Sequence, residues 1–301
     1  MVQSVAERFV ELEPEDFYLL SGVEHGMRFA RWVRRDRLGE LSGLDAKAVA
    51  YRLDRCMDRD LVERRTMQYE GYRLQVAGYD ALALRTFAER DTIEGFGAPL
   101  GVGKESDVYE VRSYKPLALK FHREGYTNFR EVHREREYTA DHEHVSWLYT
   151  ARKAAEKEYA VLETLYPTVS VPRPIDQNRH AIVMEQMDGV QLSRARLEPD
   201  QVVGVLDLVL DEIAAAYAAG WVHADLSEYN VFVSSAGVTV FDWPQAVPTD
   251  HDNAAELLER DVANAVRYVR RKYPGAVPDD LDPAAVARSV ASGGFEGVLA
   301  A

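Results

Sequence analysis

Apolar residues at the start of the chain recur at the spacing of helices. Residues 14–33 place an apolar side chain every three or four positions around a glycine break. Residues 42–57 repeat this pattern, and Asp45 stands where the N-cap of the second helix is expected. The pattern therefore predicts two consecutive amphipathic helices.

A change to alternating positions follows these helices. Residues 61–66 and 72–76 predict the two strands of a hairpin, with its turn at residues 70–71. Residues 78–90 return to the helical pattern. Helices followed by a two-stranded wing are typical of a winged helix-turn-helix domain, which we assign with its linker helix to residues 1–90.

The rest of the chain alternates strand patterns with glycine-containing turns and becomes helical after residue 197, which predicts an α+β fold. No apolar run approaches the ~20 residues that a membrane span requires, and the first residues lack the apolar core of a signal peptide. The single cysteine, Cys56, cannot form a disulfide within the chain. We therefore expect a cytoplasmic protein with no membrane partner.

The net charge of −14 argues against nucleic acid as a partner of the whole chain, but the charge is unevenly distributed. Residues 1–90 carry 15 basic and 16 acidic side chains, whereas residues 91–301 carry 21 basic and 34 acidic ones. A polyanion contact is therefore expected in the first part, where the basic residues either bind RNA or pair with neighbouring acids. These two interpretations are equally open for its arginines, which are Arg28, Arg31, Arg34, Arg35, Arg37, Arg52, Arg55, Arg59, Arg64 and Arg65.

The first candidate site is the glycine-rich stretch GVGKESDVY. Glycines let the backbone close over phosphates, and Lys104 and Ser106 supply a charge and a hydroxyl group for them. We assign Val108 to the same nucleotide-binding set. An ordinary hairpin turn is the alternative, whereas a P-loop is excluded because Ala98 stands at its first glycine and Glu105 at its metal-binding Ser or Thr.

The second candidate site combines a lysine and a glutamate from separate apolar patterns. Lys120 lies in the strand pattern PLALKF, and Glu158 shares the apolar face of a helix predicted over residues 151–166. Because an inward carboxylate requires a cation, we predict that Glu158 pairs with Lys120 and holds its ammonium group at the α and β phosphates. For Lys120 alone, a position at the margin of a strand is the alternative.

The stretch HAIVMEQM predicts a buried strand that leads into a polar connection. In a two-lobed kinase the chain passes between the lobes at such a place. We assign the backbone of Glu185 and Met187 to the adenine, and the side chain of Met184 to the wall of the adenine pocket.

The most specific motif is WVHADLSEYNVFV, which is followed by VTVFDWP. His223, Asp225 and Asn230 reproduce the kinase spacing H-x-D-x-x-x-x-N, and a turn at residues 234–237 is expected to bring Asp242 beside them. Asp225 would orient or deprotonate the attacking hydroxyl group. Asn230 and Asp242 would supply oxygen ligands for magnesium, while His223 would brace the loop without reacting.

Together with ALKFHREGYTNFR, HVSWLYTARKAAEKEYAVLETLY and VPRPIDQNRHAIVMEQMDG, these motifs resemble the RIO family of atypical protein kinases, in its second, winged-helix subfamily. The resemblance extends to about residue 274, and the GKES and SWLY stretches are specific to that family. It implies a truncated two-lobed kinase fold after the winged helix. The corresponding regions are an N-lobe at 91–187 with a flexible loop at 123–149, a C-lobe at 188–285 and a C-terminal tail at 286–301.

The resemblance also implies an activity. RIO enzymes are ATP-dependent serine/threonine kinases with ATPase activity, use magnesium (or manganese in its place), autophosphorylate, and act in maturation of the small ribosomal subunit. By this resemblance Lys120, Asp225 and Asp242 are catalytic, and Asp242 is also a phosphate acceptor. The implied partners are the small-subunit precursor with its rRNA, contacted by the winged helix, and a protein substrate.

Some residues depart from the family pattern. Ala224 replaces the glycine that usually precedes the catalytic aspartate, and Asn128 stands where relatives often carry a serine. Thr127, Thr139 and Ser146 are the remaining phosphate-acceptor candidates in the charged loop. No glycine follows Asp242 in the DFG position and no APE motif occurs, which favours a RIO enzyme over a conventional signalling kinase.

Two other functions share part of this pattern. A small-molecule kinase of the aminoglycoside or choline type also has an HxD loop and an aspartate followed by tryptophan, but it requires a larger helical lobe. A nucleotide-gated, nucleic-acid-binding assembly factor would use Lys120, Asp225, Asn230 and Asp242 without phosphorylating a protein. The sequence leaves this second alternative open.

Overall fold

The computed structural model of the protein describes residues 5–66, 68–124 and 146–298. The chain divides into two compact units, of which the first comprises Met1–Lys153 and Asp176–Val183 and the second Ala154–Ile175 and Met184–Ala301. The winged-helix part and the strand-rich part share the first unit. The division therefore differs from the boundaries at residues 90 and 187 that the sequence suggested.

The helices and strands alternate along most of the chain. In chain order they are α1 (Val5–Val10), α2 (Pro14–Gly26), β1 (Val33–Arg34), α3 (Arg35–Ser42), α4 (Ala46–Asp58), β2 (Val62–Thr66), β3 (Glu70–Leu74), α5 (Val76–Glu89), β4 (Gly95–Val102), β5 (Ser106–Arg112), β6 (Pro116–His122), α6 (Ser146–Leu165), β7 (Pro174–Asn178), β8 (Ala181–Glu185), β9 (Val190–Gln191), α7 (Val202–Ala218), β10 (Trp221–Val222), β11 (Val231–Ser234), β12 (Gly237–Val240), β13 (Val247–Pro248), α8 (Ala254–Lys272) and α9 (Pro283–Ser292). No helix among these described residues is both long and apolar enough to cross a membrane.

The first elements form the winged helix-turn-helix that the sequence predicts. Strands β1, β3 and β2 make an antiparallel sheet in that order. Asp45 caps α4 as expected, because its Oδ1 accepts hydrogen bonds from the amides of Lys47 (2.9 Å) and Ala48 (2.8 Å). The shared apolar core includes Leu20 from α2 and Leu53 from α4.

Two local predictions in this domain are wrong, and one helix was missed. Helix α2 ends at Gly26 and not at residue 33, because the chain turns back so closely that a Cβ at Gly26 would meet the side chain of Val33 at 2.6 Å. Gly71 lies in β3 and not in the turn of the wing. Trp32 packs so closely against it that a Cβ at this position would meet the Cβ of Trp32 at 2.7 Å. Helix α3 was not predicted.

The arginines of α4 face α2. Arg52 is 8% exposed, and its guanidinium group bonds the carboxylates of Glu13 (2.6 Å), Glu15 (2.7 Å) and Asp16 (3.3 Å). Arg55 bonds Asp16 as well (3.1 Å). Pairing with acids is therefore the interpretation that holds for these two arginines, although the acids belong to α2 and its N-cap and not to α4.

A five-stranded sheet follows, with the strand order β4-β5-β6-β8-β7. Strand β5 pairs antiparallel with both β4 and β6, and the register places Val108 opposite Lys120. The inner strand β6 is buried along most of its length, which explains its near-continuous apolar sequence.

The second unit has its own apolar core, to which α7, α8 and the β11–β12 hairpin contribute. Helix α9 packs on α7 and α8, and Val286, Val290 and Val298 are buried. The expectation of a C-terminal tail from residue 286 is therefore wrong. The i, i+4 spacing of Val286 and Val290 gives α9 an apolar stripe that the core covers.

The expected flexible loop at 123–149 is too long at both ends. Arg123 is buried, and residues 146–149 belong to α6, which begins five residues before the predicted helix. Leu148 explains the extension because it packs against the apolar core of the first unit. Thr127, Asn128 and Thr139 lie outside the described residues, and Ser146 begins the helix.

Candidate active site

A hairpin in the second unit brings two motif residues together. Strands β11 and β12 pair antiparallel with Val231 opposite Val240, and Ser234 opposite Gly237 closes the turn as predicted. Beyond the paired residues, the amide of Phe241 donates to the carbonyl of Asn230 (3.0 Å). Asp242 therefore follows directly after a residue that is bonded to Asn230.

His223 braces this loop. Its Nε2 lies 3.0 Å from the carbonyl oxygen of Phe241, and its Nδ1 accepts a hydrogen bond from the amide of Asp225 (3.3 Å). Both contacts fit one neutral tautomer, in which Nδ1 accepts and Nε2 donates. The ring also packs on Trp243, with 4.5 Å between ring centroids. The position agrees with a structural role for His223.

Asp225 is exposed to solvent, whereas its backbone is held in place. The side-chain amide of Asn230 donates to the carbonyl of Asp225 (2.8 Å). With Nδ2 used in this bond, Oδ1 of Asn230 is the atom left to act as a metal ligand. The loop thus fixes the main chain of Asp225 while its carboxylate stays accessible to a substrate.

Asp261, which no sequence motif indicates, anchors the same loop from α8. Its carboxylate is fully buried and accepts hydrogen bonds from the amides of Ala224 (2.7 Å) and Leu226 (2.9 Å), the two neighbours of Asp225. Burial raises the pKa of Asp261, while the neighbouring His223 ring and the two amide bonds act in the opposite direction. Asp261 lies on the apolar stripe of α8, so its inward position was readable from the sequence by the argument used for Glu158.

Two further residues of α8 contact the loop. Arg260 donates to the carbonyl of Ala224, and Asn264 donates to the carbonyl of Leu226 (3.0 Å). Ala224 and Leu226, the residues on both sides of Asp225, are therefore each bonded to α8 through their amide and their carbonyl group.

The backbone is strained at two positions of this site. Ala224 has φ = 65° and Asp242 has φ = 69°, both in the left-handed region that disfavours residues with a Cβ. Each such residue costs about 1–2 kcal/mol, and such strain persists only where surrounding contacts hold it. The bonds from α8 and His223 supply such contacts.

Glu158 lies in the second unit and Lys120 in the first. Glu158 is buried, and its Oε1 accepts a hydrogen bond from the amide of Trp243 (3.1 Å), the residue after Asp242. Lys120 is buried in β6. Both side chains are therefore inward, as the patterns predict, and their pairing stays a prediction.

The glycine-rich turn, residues 103–105, connects β4 and β5. The amide of Gly103 donates to the carbonyl of Ser106 (2.9 Å), and register shifts interrupt the pairing of β4 with β5. Lys104 is exposed in the turn and Ser106 begins β5. The two side chains predicted to bind phosphate thus lie at one end of the sheet, and their role stays a prediction.

The predicted adenine contacts lie at the end of β8. Met184 is buried and Met187 is half-buried. The amide of Glu185 already donates to the carbonyl of Arg173 (2.9 Å). The prediction is therefore narrowed to the carbonyl of Glu185 and the amide of Met187 as partners of the adenine.

The predicted metal ligands suit magnesium. Asn230 and Asp242 offer an amide oxygen and a carboxylate oxygen, both of which this cation accepts. Within the described ranges, no cluster of three or more His, Cys, Asp or Glu side chains is arranged to hold a metal.

Comparison with known families divides the chain into two matched segments. Residues 107–280 match the RIO domain, and residues 9–90 match the N-terminal domain of Rio2. The first match alone spans more than half of the chain.

Individual relatives cover most of the chain. The RIO-type serine/threonine-protein kinase Rio2 of Methanocaldococcus jannaschii is 39% identical over 252 residues, which are 81% of this chain and 92% of the relative. The serine/threonine-protein kinase rio2 of Schizosaccharomyces pombe is 36% identical over 278 residues, covering 90% and 80%. Among solved structures, the Rio2 kinase–ADP/Mg²⁺–phosphoaspartate complex from Chaetomium thermophilum matches with a TM-score of 0.80 and 30% identity, covering 95% of this chain and 89% of that one.

Proposed function

Because this chain belongs to the RIO family of serine/threonine-protein kinases, in its Rio2 branch, we propose that it binds ATP with magnesium and transfers the γ-phosphoryl group through Asp225 and Asp242. The observation that carries the proposal is the hairpin contact between Asn230 and Phe241, which brings Asp242 to the loop of Asp225. Membership of this family argues against the alternative of a small-molecule kinase.

We assign different roles to the two aspartates. The carboxylate of Asp242 attacks the γ-phosphorus, the bond from that phosphorus to the bridging oxygen of ADP breaks, and ADP leaves. Water then hydrolyses the resulting acyl phosphate to inorganic phosphate and restores the carboxylate. The phosphoaspartate in the Chaetomium thermophilum Rio2 kinase complex supports this role for Asp242.

Transfer to a protein uses Asp225. A serine or threonine hydroxyl attacks the phosphorus, and the exposed carboxylate of Asp225 orients it and takes its proton. Magnesium held by Asn230 and Asp242 would neutralise charge on the phosphate oxygens. We assign Lys120, Lys104 and Ser106 to the phosphates of the nucleotide.

We test the proposal by incubating the purified protein with γ-labelled ATP and magnesium and treating the labelled chain with hydroxylamine and with acid. Label released by hydroxylamine indicates an acyl phosphate and supports the ATPase cycle at Asp242. Label stable to both treatments lies on serine or threonine and supports protein phosphorylation. An unlabelled chain that also leaves ATP unhydrolysed and a protein acceptor unphosphorylated contradicts the proposal.

Asp225→Ala provides the sharper test of the catalytic residue. The side chain is exposed, so the substitution should preserve the fold and leave ATP affinity within about threefold of the wild type. The rate of phosphate transfer to a protein serine or threonine should fall at least about 100-fold. Asp200→Asn, an exposed aspartate in the turn before α7, is the matched control and should transfer phosphate normally. Transfer by Asp225→Ala at the wild-type rate would remove Asp225 from the mechanism.

We also propose that the winged helix contacts the rRNA of the small-subunit precursor, through the wing and the segment before β1. Arg28 and Arg65 are exposed there, and Arg65 lies over the ring of Trp32 (5.9 Å), whereas the exposed Arg64 pairs with Glu70 (3.3 Å). Helix α4 is a poor candidate because Arg52 and Arg55 are bonded to α2. A cytoplasmic location stays a prediction from the sequence.

Binding to a small-subunit rRNA fragment as a function of salt tests this contact. Arg65→Ala should lower the slope of log K against log salt by about one unit, because one phosphate contact is lost. Arg288→Ala, an exposed arginine on α9, should leave the slope unchanged. Equal slopes for wild type and Arg65→Ala would exclude Arg65 from the interface.

A further inference from the structure

Arg123 lies directly after β6, the strand that carries Lys120, and only 6% of it is exposed. Its guanidinium group uses three nitrogens. Nη1 and Nη2 bond the two carboxylate oxygens of Asp80 at 2.8 Å each, and Nε bonds Oδ2 of Asp107 at 2.8 Å. A buried arginine thus joins two carboxylates from different elements in a fixed planar geometry.

Asp80 belongs to α5, the linker helix of the winged-helix part, and is 2% exposed. Nε2 of His180 in the strand-rich part lies 2.8 Å from Oδ1 of Asp80. Burial opposes the charged form of Asp80, but Arg123 and His180 outweigh this effect and lower its pKa. Asp80 therefore provides a fixed negative charge that sets the position of Arg123.

Two contacts of Arg123 lead to the glycine-rich turn. The amide of Arg123 donates to the carbonyl of Glu105 (2.7 Å), the last residue of the turn. Asp107, the second carboxylate partner of Arg123, is the second residue of β5. Arg123 therefore bonds the residues on both sides of Ser106, one through its main chain and one through its side chain.

We propose that Arg123 is a positioning residue for the nucleotide and that Asp80, although it lies in the winged-helix part, positions the glycine-rich turn through Arg123. This inference rests on the proposed function, because it concerns the phosphate contacts of Lys104 and Ser106. Arg123 and Asp80 are both buried, and we assign them no contact with the nucleotide or the reacting atoms. They fix the backbone on which the phosphate-binding side chains stand.

A purely structural role is the alternative, and the chain offers a matched control for it. Asp16 and Arg52 form a second buried ion pair in the same unit, with Asp16 fully buried and Arg52 8% exposed. This pair joins α2 to α4 and has no bond to the glycine-rich turn. We therefore expect Asp16→Asn to lower the stability of the unit by a comparable amount without disturbing the glycine-rich turn.

The experiment compares Asp80→Asn, Asp107→Asn and Asp16→Asn in the full chain. KM for ATP, kcat and the Kd of a fluorescent ADP analogue are measured at a temperature where circular dichroism shows each variant folded. We expect KM and Kd to rise about tenfold in Asp80→Asn and about threefold in Asp107→Asn, with kcat changed less than about threefold, and all values for Asp16→Asn to stay near wild type. Asp107 is partly exposed, so its variant gives a result even where Asp80→Asn fails to fold.

The outcomes separate the inference from the proposed function. A wild-type chain that does not bind the ADP analogue overturns both. If the wild-type chain binds the analogue but KM and Kd of Asp107→Asn, and of Asp80→Asn where it folds, equal those of Asp16→Asn, only the positioning role is overturned. A rise in KM and Kd confined to the two variants that contact Arg123 supports the inference.

Discussion

Buried carboxylates serve different purposes in the two units of this protein. In the first unit, Asp16 and Asp80 bond arginines that come from other elements. In the second unit, Asp261 and Glu158 accept hydrogen bonds from backbone amides beside Asp225 and Asp242. The first arrangement joins helices and strands, whereas the second fixes the main chain around Asp225 and Asp242.

This difference predicts that mutations in the first unit mainly lower stability, whereas mutations in the second unit mainly lower the rate of phosphate transfer. Removing one partner of a buried ion pair costs about 3–5 kcal/mol, because a buried charge is left without compensation. Removing a carboxylate that accepts from backbone amides leaves unsatisfied donors, each costing about 1–3 kcal/mol. In the second unit the unsatisfied donors flank Asp225, which we propose to be catalytic, so the larger effect there is expected on the rate.

The largest effect is expected for Asp261→Asn. The amide group presents a donor to one of the two backbone N–H groups, so the loop around Asp225 loses one of its fixed bonds. We expect kcat to fall about 100-fold while KM for ATP changes less than about threefold, because the loop is displaced without loss of phosphate contacts. Steady-state kinetics checks this.

Asp207→Asn is the control for Asp261→Asn. Asp207 in α7 also accepts a hydrogen bond from a backbone amide, that of Val298 (2.7 Å), but it is bonded to the end of the chain and not to the loop of Asp225. Its variant should lose some stability and keep its kcat. If both variants lose activity equally, the separate role that we give to Asp261 is wrong.

The location of Asp261 shows what could be predicted from the sequence. The H-x-D-x-x-x-x-N spacing and the hairpin turn were readable because they depend on residues close together in the chain. Asp261 lies 36 residues after Asp225, and only its place on an apolar helical stripe indicates that it points inward. Its partners are main-chain amides, which leave no mark in the sequence.

The arginines of α4 illustrate the opposite case. A basic helix in a winged-helix domain suggests a surface for polyanions, and the nearest acids in sequence lie on α4 itself. The true partners, Glu13, Glu15 and Asp16, are more than thirty residues away. Long-range pairing of this kind depends on how helices pack, so the sequence could not decide between the two interpretations.

A smaller effect tests how strongly the second unit holds its strained backbone. Ala224→Gly removes the penalty of a Cβ at φ = 65° but also loses a buried methyl group and adds freedom to the unfolded chain. These effects offset one another, so the free energy of unfolding should change by less than about 0.5 kcal/mol. Ala214→Gly inside α7, where φ is helical, should lower it by about 1 kcal/mol.

Chemical denaturation of both glycine variants checks the offset. Equal losses for Ala214→Gly and Ala224→Gly would mean that the left-handed position carries no strain. The family usually has glycine at this position, so wild-type phosphate transfer is also expected for Ala224→Gly.

The last effect concerns the ion-pair cluster of the first unit as the pH falls. Burial lowers the pKa of His180 below its usual value of 6.5, although Asp80 opposes this shift and Arg123 and His122 add to it. Because the unfolded chain then binds the proton more readily, stability from His180 is complete above pH 6.5 and is lost as the pH falls through the folded pKa. The loss amounts to at most about 1.4 kcal/mol per pH unit.

His180→Gln should remove this dependence, since glutamine can donate to Asp80 without titrating. Urea unfolding at pH 7.0 and 5.5 should therefore show a smaller loss for the variant than for the wild type. Asp261 contributes with the opposite sign, because its raised pKa favours the folded state at low pH and makes its contribution fall as the pH rises. Identical losses in wild type and His180→Gln would mean that the buried histidine of the first unit does not titrate with unfolding, and that the two units differ in geometry alone.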